Sequence, residues 1–534
     1  MGEVTTSESQ SAGKSAQVLR IAGLLGRVLS RAVVFVMIWL GLLLLMAAAI
    51  IHYYWGQVTV VQVLLNLMAV QVGGGGGPIV WVCIFGIGVF PLLLTIILTS
   101  WPYFQRRRNL RKKREGGQVA SPWFGRTTRT VIAAVLIVGG PAAFVSTVEV
   151  TEYVTAANSE YDVGDHYVEP QITSDEDKRN LVLVYLESAE STLAEEGLVE
   201  KNPYASLEET TQEADGWQSV EGLQEYDGSG WTMAGITSTQ CGFPLNGILS
   251  AANSGSYSEV GVGEETYLGG TTCLGDLLKD SGYTSVFLGG ANPSFAAKET
   301  LLTDHGYSEV TGRSDWVDAG EPESNFRSDW GLSDQRLMEY AKDEVDELHA
   351  ESEQTGEPFN LSVLTLDTHE PVHVHDYCNV DTEDEMTSVY ACSMNQVAGF
   401  VDHMEEQGYL EDTAVVLMGD HLKPSDAGDA FHEELDEHPN RTLFNRIWIP
   451  GEDDPQIARS EVDQINMFPT ILEIAGLKVA DHQAGIGVSA FTSEVPEDSA
   501  QSLPDDAYAE LLKSGSPQFY RDAWVGEIGS DEGP

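Results

Sequence analysis

Positive charge is scarce in this chain. Only 29 Lys and Arg stand against 82 Asp and Glu, a formal net charge of −53 at pH 7. The few basic residues are also unevenly placed. Residues 1–148 hold 13 of them and three acidic residues (Glu3, Glu8, Glu115), which leaves 16 basic and 79 acidic residues in 149–534. So acidic a region has no basic patch to neutralise phosphates, which excludes nucleic acid as a partner. It reads as a solvated surface suited to salty or alkaline surroundings. Cysteine is scarce too: five in 534 residues, with no Cys-x-x-Cys spacing, which argues against a zinc site built on thiolates.

Long apolar runs are not lacking. Residues 33–51, 79–98 and 131–148 contain no charge, and each is close to the roughly 20 residues that span a bilayer. Lys14, Arg20, Arg27 and Arg31 precede the first run, nine basic residues from Arg106 to Arg129 separate the second from the third, and 52–78 contain none. That asymmetry places the N-terminus and the basic loop in the cytoplasm and everything after about residue 149 outside. The first run starts late and lacks a small-x-small cleavage site, unlike a signal peptide. Residues 56–72, broken by Gln57, Gln62, Asn66 and Gln71, read as an interfacial helix, followed by a turn at Gly73–Gly77 and Pro78. The expected organisation is a cytoplasmic tail (1–30), a three-helix transmembrane region (31–149), a linker (150–179), an extracytoplasmic catalytic domain (180–495) and an acidic C-terminal tail (496–534).

An oxidising compartment makes disulfides expected among Cys241, Cys273, Cys378 and Cys392. Three pairings are open; order along the chain favours Cys241–Cys273 and Cys378–Cys392, with Cys83 free inside the second membrane run.

From Leu181 onward, strand-like runs (181–186, 284–289, 359–366, 414–419, 446–449) alternate with helical stretches such as 333–350 and 390–407. The alternation predicts an α/β domain with a mostly parallel central sheet, which binds ligands at the C-terminal ends of its strands. Glu187, Asp420 and His421 stand at such ends. Thr232 lies in a Gly-rich turn, Asp227-Gly-Ser-Gly-Trp-Thr-Met-Ala-Gly, that enters a helix. A carboxylate, a hydroxyl, a second carboxylate and an imidazole are what one divalent metal needs to hold and activate a threonine nucleophile. Mostly hard oxygen ligands point to Mn²⁺ first and Mg²⁺ next, and a single histidine leaves Zn²⁺ open. Each motif alone also has a plain reading, as a capping pair or an ordinary glycine turn.

The segment Gly228-Ser-Gly-Trp-Thr-Met-Ala-Gly-Ile-Thr-Ser-Thr-Gln-Cys-Gly-Phe-Pro-Leu245 resembles the nucleophile region of bacterial phosphoglycerol transferases, the family of the periplasmic-glucan enzyme and, more distantly, lipoteichoic acid synthase. The resemblance runs from about Asn180 to Gly487. It includes Cys273-Leu-Gly-Asp276, Gly289 to Lys298, Asp329-Trp-Gly-Leu-Ser-Asp334, Thr365-Leu-Asp-Thr-His369 and Asp463 to Leu472. It implies a sulfatase-like, alkaline-phosphatase-superfamily domain at a bacterial inner membrane. Glu187, Thr232, Asp420 and His421 would be metal ligands, and Thr232 the catalytic nucleophile. It further implies substrate contacts at Asn292, Phe295, Lys298, Trp330, His369 and Tyr185. Asn292 stands where relatives carry Asp, and Tyr185 where the synthase has His. The implied reaction moves glycerol phosphate from phosphatidylglycerol to an envelope glycan (lipomannan, periplasmic glucan or polyglycerophosphate). Alternatives are a phosphoethanolamine transferase, a phosphodiesterase of the same superfamily, or an inactive envelope-binding protein. Cys241-Gly-Phe-Pro-Leu-Asn does not fit the Cys-x-Pro-x-Arg of a true sulfatase nucleophile.

Overall fold

The computed structural model describes residues 5–56, 58–60, 63, 81–115, 126–246, 266–327, 330–426, 428–451 and 457–525, in two compact units, 1–57 with 77–149 and 58–76 with 150–534. Among the described residues of the first unit three helices are long and apolar enough to cross a membrane: α1 (Thr5–Trp55), α2 (Phe90–Arg114, continuous with a preceding helical stretch from Trp81) and α3 (Arg126–Thr147). The expected N-terminal tail continues as helix into the first span. Nothing between Thr5 and Trp55 breaks it, since this stretch contains no proline. The helix α2 ends in Arg111, Lys112, Lys113 and Arg114, where cations complement the helix dipole. Helices α1 and α3 meet at Gly41 and Gly140. A Cβ on Gly140 would lie 1.9 Å from the Gly41 carbonyl oxygen, so only glycine allows this approach. The expected interfacial helix at 56–72 and its glycine turn fall almost wholly outside the described residues.

The second unit is built on a six-stranded sheet among the described residues. Its strands are β2 (Asn180–Leu186), β3 (Thr284–Gly289), β4 (Glu309–Thr311), β5 (Phe359–Leu364), β6 (Thr413–Gly419) and β7 (Asn445–Trp448), after a short β1 (Ile172–Ser174) outside it. The order is β4-β3-β5-β2-β6-β7, parallel except for β7. Every residue of β2, β5 and β6 is buried, which is why these strands read as unbroken apolar runs. A parallel sheet is covered on both faces. One face packs α4 (Thr232–Cys241), α5 (Leu274–Asp280) and α8 (Met467–Ile474), and the other packs α6 (Asp334–Thr355) and α7 (Glu385–Gln407). The strand β4 escaped sequence reading because three residues carry no periodicity.

Two expected boundaries need correction. Residues 150–179 are not a free linker. Val163 is fully buried, Tyr161 and Tyr167 pack on the core, and β1 pairs antiparallel with Lys478–Val479. Nor is 496–525 a peripheral tail. Helices α9 (Asp505–Lys513) and α10 (Pro517–Val525) dock through Leu511, Tyr520, Ala523 and Trp524. Tyr520 donates to the Pro244 carbonyl at 2.8 Å and Trp524 to that of Asn246 at 3.1 Å. In both segments a few apolar side chains are diluted among acidic ones, so average composition hid them.

Both disulfides join the pairs that chain order favours, Cys241–Cys273 and Cys378–Cys392, and Cys83 is free. The first ties the end of α4 to the start of α5.

Candidate metal centre and nucleophile

The central strands β2 and β6 lie side by side and end together, delivering Glu187 and the pair Asp420–His421 to one spot. Ligand atoms of these three residues all lie within 4.8 Å of one another, and all three residues are buried. His421 Nε2 is 3.4 Å from Glu187 Oε1 and 3.6 Å from Asp420 Oδ2. Its Nδ1 donates to the Leu422 carbonyl at 2.8 Å, because a carbonyl can only accept, and this fixes the ring with Nε2 facing the carboxylates. Asp420 Oδ1 accepts from the Ser188 and His421 amides at 2.8 and 2.9 Å, while its Oδ2 is buried without a hydrogen-bond partner. Ser188, held at φ +56°, donates its hydroxyl to Glu187 Oε1 at 2.7 Å. Thr365 and Thr368 bracket the Glu187 backbone at 2.8 and 2.6 Å.

The charge state of the cluster follows from burial and mutual repulsion. Burial, and then the Glu187 carboxylate, push Asp420 up to about 7. Burial alone would lower His421, but the Asp420 and Glu187 carboxylates outweigh it and raise it to about 10. Glu187 also feels burial, yet His369 and His421 hold it well below the usual carboxylate range. The dry pocket thus draws protons onto Asp420 and His421 for want of other positive charge. A divalent cation would supply that charge, and the orphaned Asp420 oxygen and the oriented imidazole fit one.

Thr232 opens α4, with its hydroxyl 3.4 Å from Glu187 Oε2. Two features hold the helix there. Gln464 donates to the Asp420 carbonyl at 2.6 Å and accepts from Ser229 at 2.9 Å, stitching the turn to the loop that carries Asp420 and His421. Gly235 lets the helix touch that same carbonyl, since a Cβ would sit 1.8 Å from it. Neither contact was foreseen from sequence, although Gly235 and Gln464 both lie in segments that carry the family resemblance.

The expected substrate contacts divide. Lys298 is 4% exposed, lies 5.8 Å from the Phe287 ring centroid, and feels both Glu187 and Asp420. His369 lies tilted at 49° against Trp330 with ring centroids 4.3 Å apart, and Trp330 meets Phe295 edge-on at 5.3 Å, so these three form one aromatic wall. Burial lowers the His369 pKa, which favours the neutral ring. Asn292 is committed to its own turn, accepting from the Ser294 amide at 3.0 Å. Tyr185 is 1% exposed and bonds Thr239 and Gln240 at 2.9 and 3.0 Å, so it braces α4 from below and faces no open site. A second cluster, Cys273, Asp276 and His305, is no metal site: the Cys273 sulfur is in a disulfide, and the His305 nitrogens bond Asp276 and the Tyr267 carbonyl.

A sequence profile described as Sulfatase matches residues 179–477, more than half of the chain. The chain is 28% identical over 381 residues to phosphoglycerol transferase I of Escherichia coli O139:H28, covering 68% of this chain and 46% of that protein. The chain therefore spans about half the length of the curated relatives it matches. Among solved structures it is similar to an alkaline phosphatase superfamily protein from Vibrio parahaemolyticus (17% identity, 71% of this chain and 97% of that one, TM-score 0.49). It is also similar to the lipoteichoic acid synthase LtaP from Listeria monocytogenes (15% identity, 67% and 96%, TM-score 0.47).

Proposed function

The chain belongs to the sulfatase family, and from that premise we propose that it is a membrane-anchored, metal-dependent transferase of glycerol phosphate. The donor is phosphatidylglycerol and the acceptor a hydroxyl of an envelope glycan. The membrane is the bacterial inner membrane, with the N-terminus in the cytoplasm and the catalytic unit outside. The observation that carries this reading is the placement of the Thr232 hydroxyl, 3.4 Å from Glu187 Oε2 at the start of a helix and beside a buried two-carboxylate, one-histidine cluster. The name of the curated relatives, phosphoglycerol transferase I, supports the choice of transferred group.

Glu187, Thr232, Asp420 and His421 would hold one divalent ion, Mn²⁺ first, with Mg²⁺ or Zn²⁺ as alternatives. Such an ion supplies Lewis-acid charge to the phosphoryl oxygens and a lowered threonine pKa. The residues divide the rest of the work. The helix behind Thr232 turns its free amides toward a phosphate. Thr232 Oγ gives up its proton and attacks phosphorus, the bond to the diacylglycerol oxygen breaks, and that oxygen takes a proton as it leaves. An acceptor hydroxyl then gives up its proton and attacks the same phosphorus, and the bond to Thr232 breaks as Oγ takes a proton back. Lys298 and neutral His369 would flank the phosphoryl group, and Phe295 and Trp330 would wall the glycerol side.

Thr232→Ala in the full chain, reconstituted with phosphatidylglycerol and Mn²⁺, should release diacylglycerol at least about 10³-fold more slowly, with both disulfides formed. Near-normal release by that variant would refute the mechanism.

A further inference from the structure

Three loops carry the candidate site, and one ionic network, buried at Glu190 and Lys423 and part-buried at Arg441 and Glu370, joins them without entering it. Glu190, fully buried three residues after Glu187, binds the Arg441 guanidinium (Nε at 3.1 Å) and accepts from the Lys423 amide at 3.0 Å. Arg441 also donates to the Lys423 carbonyl. Lys423, two residues past His421, sends its ammonium to Glu370, whose carboxylate also accepts from the Ala430 amide at 2.9 Å. Glu370 follows His369 directly, and the His369 Nδ1 donates to the Glu370 carbonyl. From the opposite side, buried Arg327 donates to the His369 carbonyl at 2.6 Å and to that of Pro371. The loops after β2, β5 and β6 are thus tied to one another by charge.

This arrangement is costly. A buried ion pair is usually no more stable than apolar side chains of the same volume, so stability alone does not account for it. Nor does Lys423 serve as a donor-binding cation, because its side chain has no solvent exposure. What the pair does fix is geometry. It joins the residue after His369 to the loop that carries Asp420 and His421, and a misplacement of about 1 Å in such a site can cost about 10²-fold in rate.

We propose that Lys423 and Glu370 are positioning residues, a strut that sets where His369 stands relative to the Glu187–Asp420–His421 centre and so governs turnover. The rate part of this inference rests on the transferase reading above; the strut itself does not. The test is the full-length double variant Lys423→Met/Glu370→Gln in detergent micelles with phosphatidylglycerol and Mn²⁺. It removes both charges together and leaves no unpaired buried ion. The expected result is a kcat at least tenfold lower and an apparent KM within about twofold of wild type. Peptides covering 366–378 should exchange amide hydrogens faster, while those covering 232–241 stay unchanged. Wild-type kcat, a change confined to KM, unaltered exchange at 366–378, or a double variant that does not fold would each overturn the proposal. Wild-type protein that releases no diacylglycerol would instead sink the donor reading, and the exchange measurement would still decide the strut.

Discussion

A lysine buried to 4% exposure beside two carboxylates is the residue whose charge has most to explain. Burial lowers Lys298, Glu187 and Asp420 restore it only in part, and the net result is a pKa of about 8. The sign of the consequence follows from where the proton goes. The folded pKa lies below the unfolded value of about 10.4, so the charged lysine costs stability below pH 8, and the cost fades as pH rises from about 8 toward 10. Donor binding runs the other way. If the ammonium grips the phosphate, apparent KM for phosphatidylglycerol should climb as pH passes about 8, because the cation is lost. Lys298→Arg keeps its charge throughout that range, so its KM should stay flat to pH 10. Steady-state kinetics between pH 6.5 and 10 check this, and a wild-type KM flat across the range would remove Lys298 from the donor site.

Glycine at 235 decides how one element meets another. Its Cβ position is filled by the Asp420 carbonyl oxygen at 1.8 Å, so Gly235→Ala must push α4 away from the loop that carries two of the proposed ligands. Overpacking of this kind costs about 1–3 kcal/mol, and the displacement should lower kcat by more than the loss of stability accounts for. Thermal melting and diacylglycerol release measured side by side separate the two, and an Ala variant with wild-type activity would show that the helix position matters little. Elements of this sort mark where sequence was legible. The strands β2, β5 and β6 announced themselves because both faces are buried, and Glu187, Asp420 and His421 stood out at two of their ends. The Glu190–Arg441 and Lys423–Glu370 pairs did not, since ion pairs between residues 53 to 251 positions apart leave no local pattern. Tyr185 was expected at the substrate because it stands where the synthase of the resembled family has His, whereas here its hydroxyl bonds Thr239 and Gln240 beneath α4.

At the scale of the molecule, charge is again the dominant fact. Residues 149–534 carry 79 acidic and 16 basic residues, so the unit repels itself and should resist an anionic lipid. At physiological ionic strength the Debye length is about 8 Å, and most of this repulsion is screened. The melting temperature of the second unit within the full chain should therefore rise between about 0.02 and about 1 M salt. A salt-independent melt would mean that the acidic surface is energetically silent. On the proposed reading, a cation held by Glu187, Asp420 and His421 would offset the repulsion that remains at close range as a phosphate approaches Thr232. The most direct measurement is mass spectrometry of the Thr232 peptide after full-length protein is quenched in phosphatidylglycerol vesicles with Mn²⁺ and without acceptor. A glycerophosphoryl mass shift on Thr232, formed together with released diacylglycerol and absent when the metal is chelated, is the predicted result. Diacylglycerol released while the Thr232 peptide stays unmodified at every quench time would contradict the account.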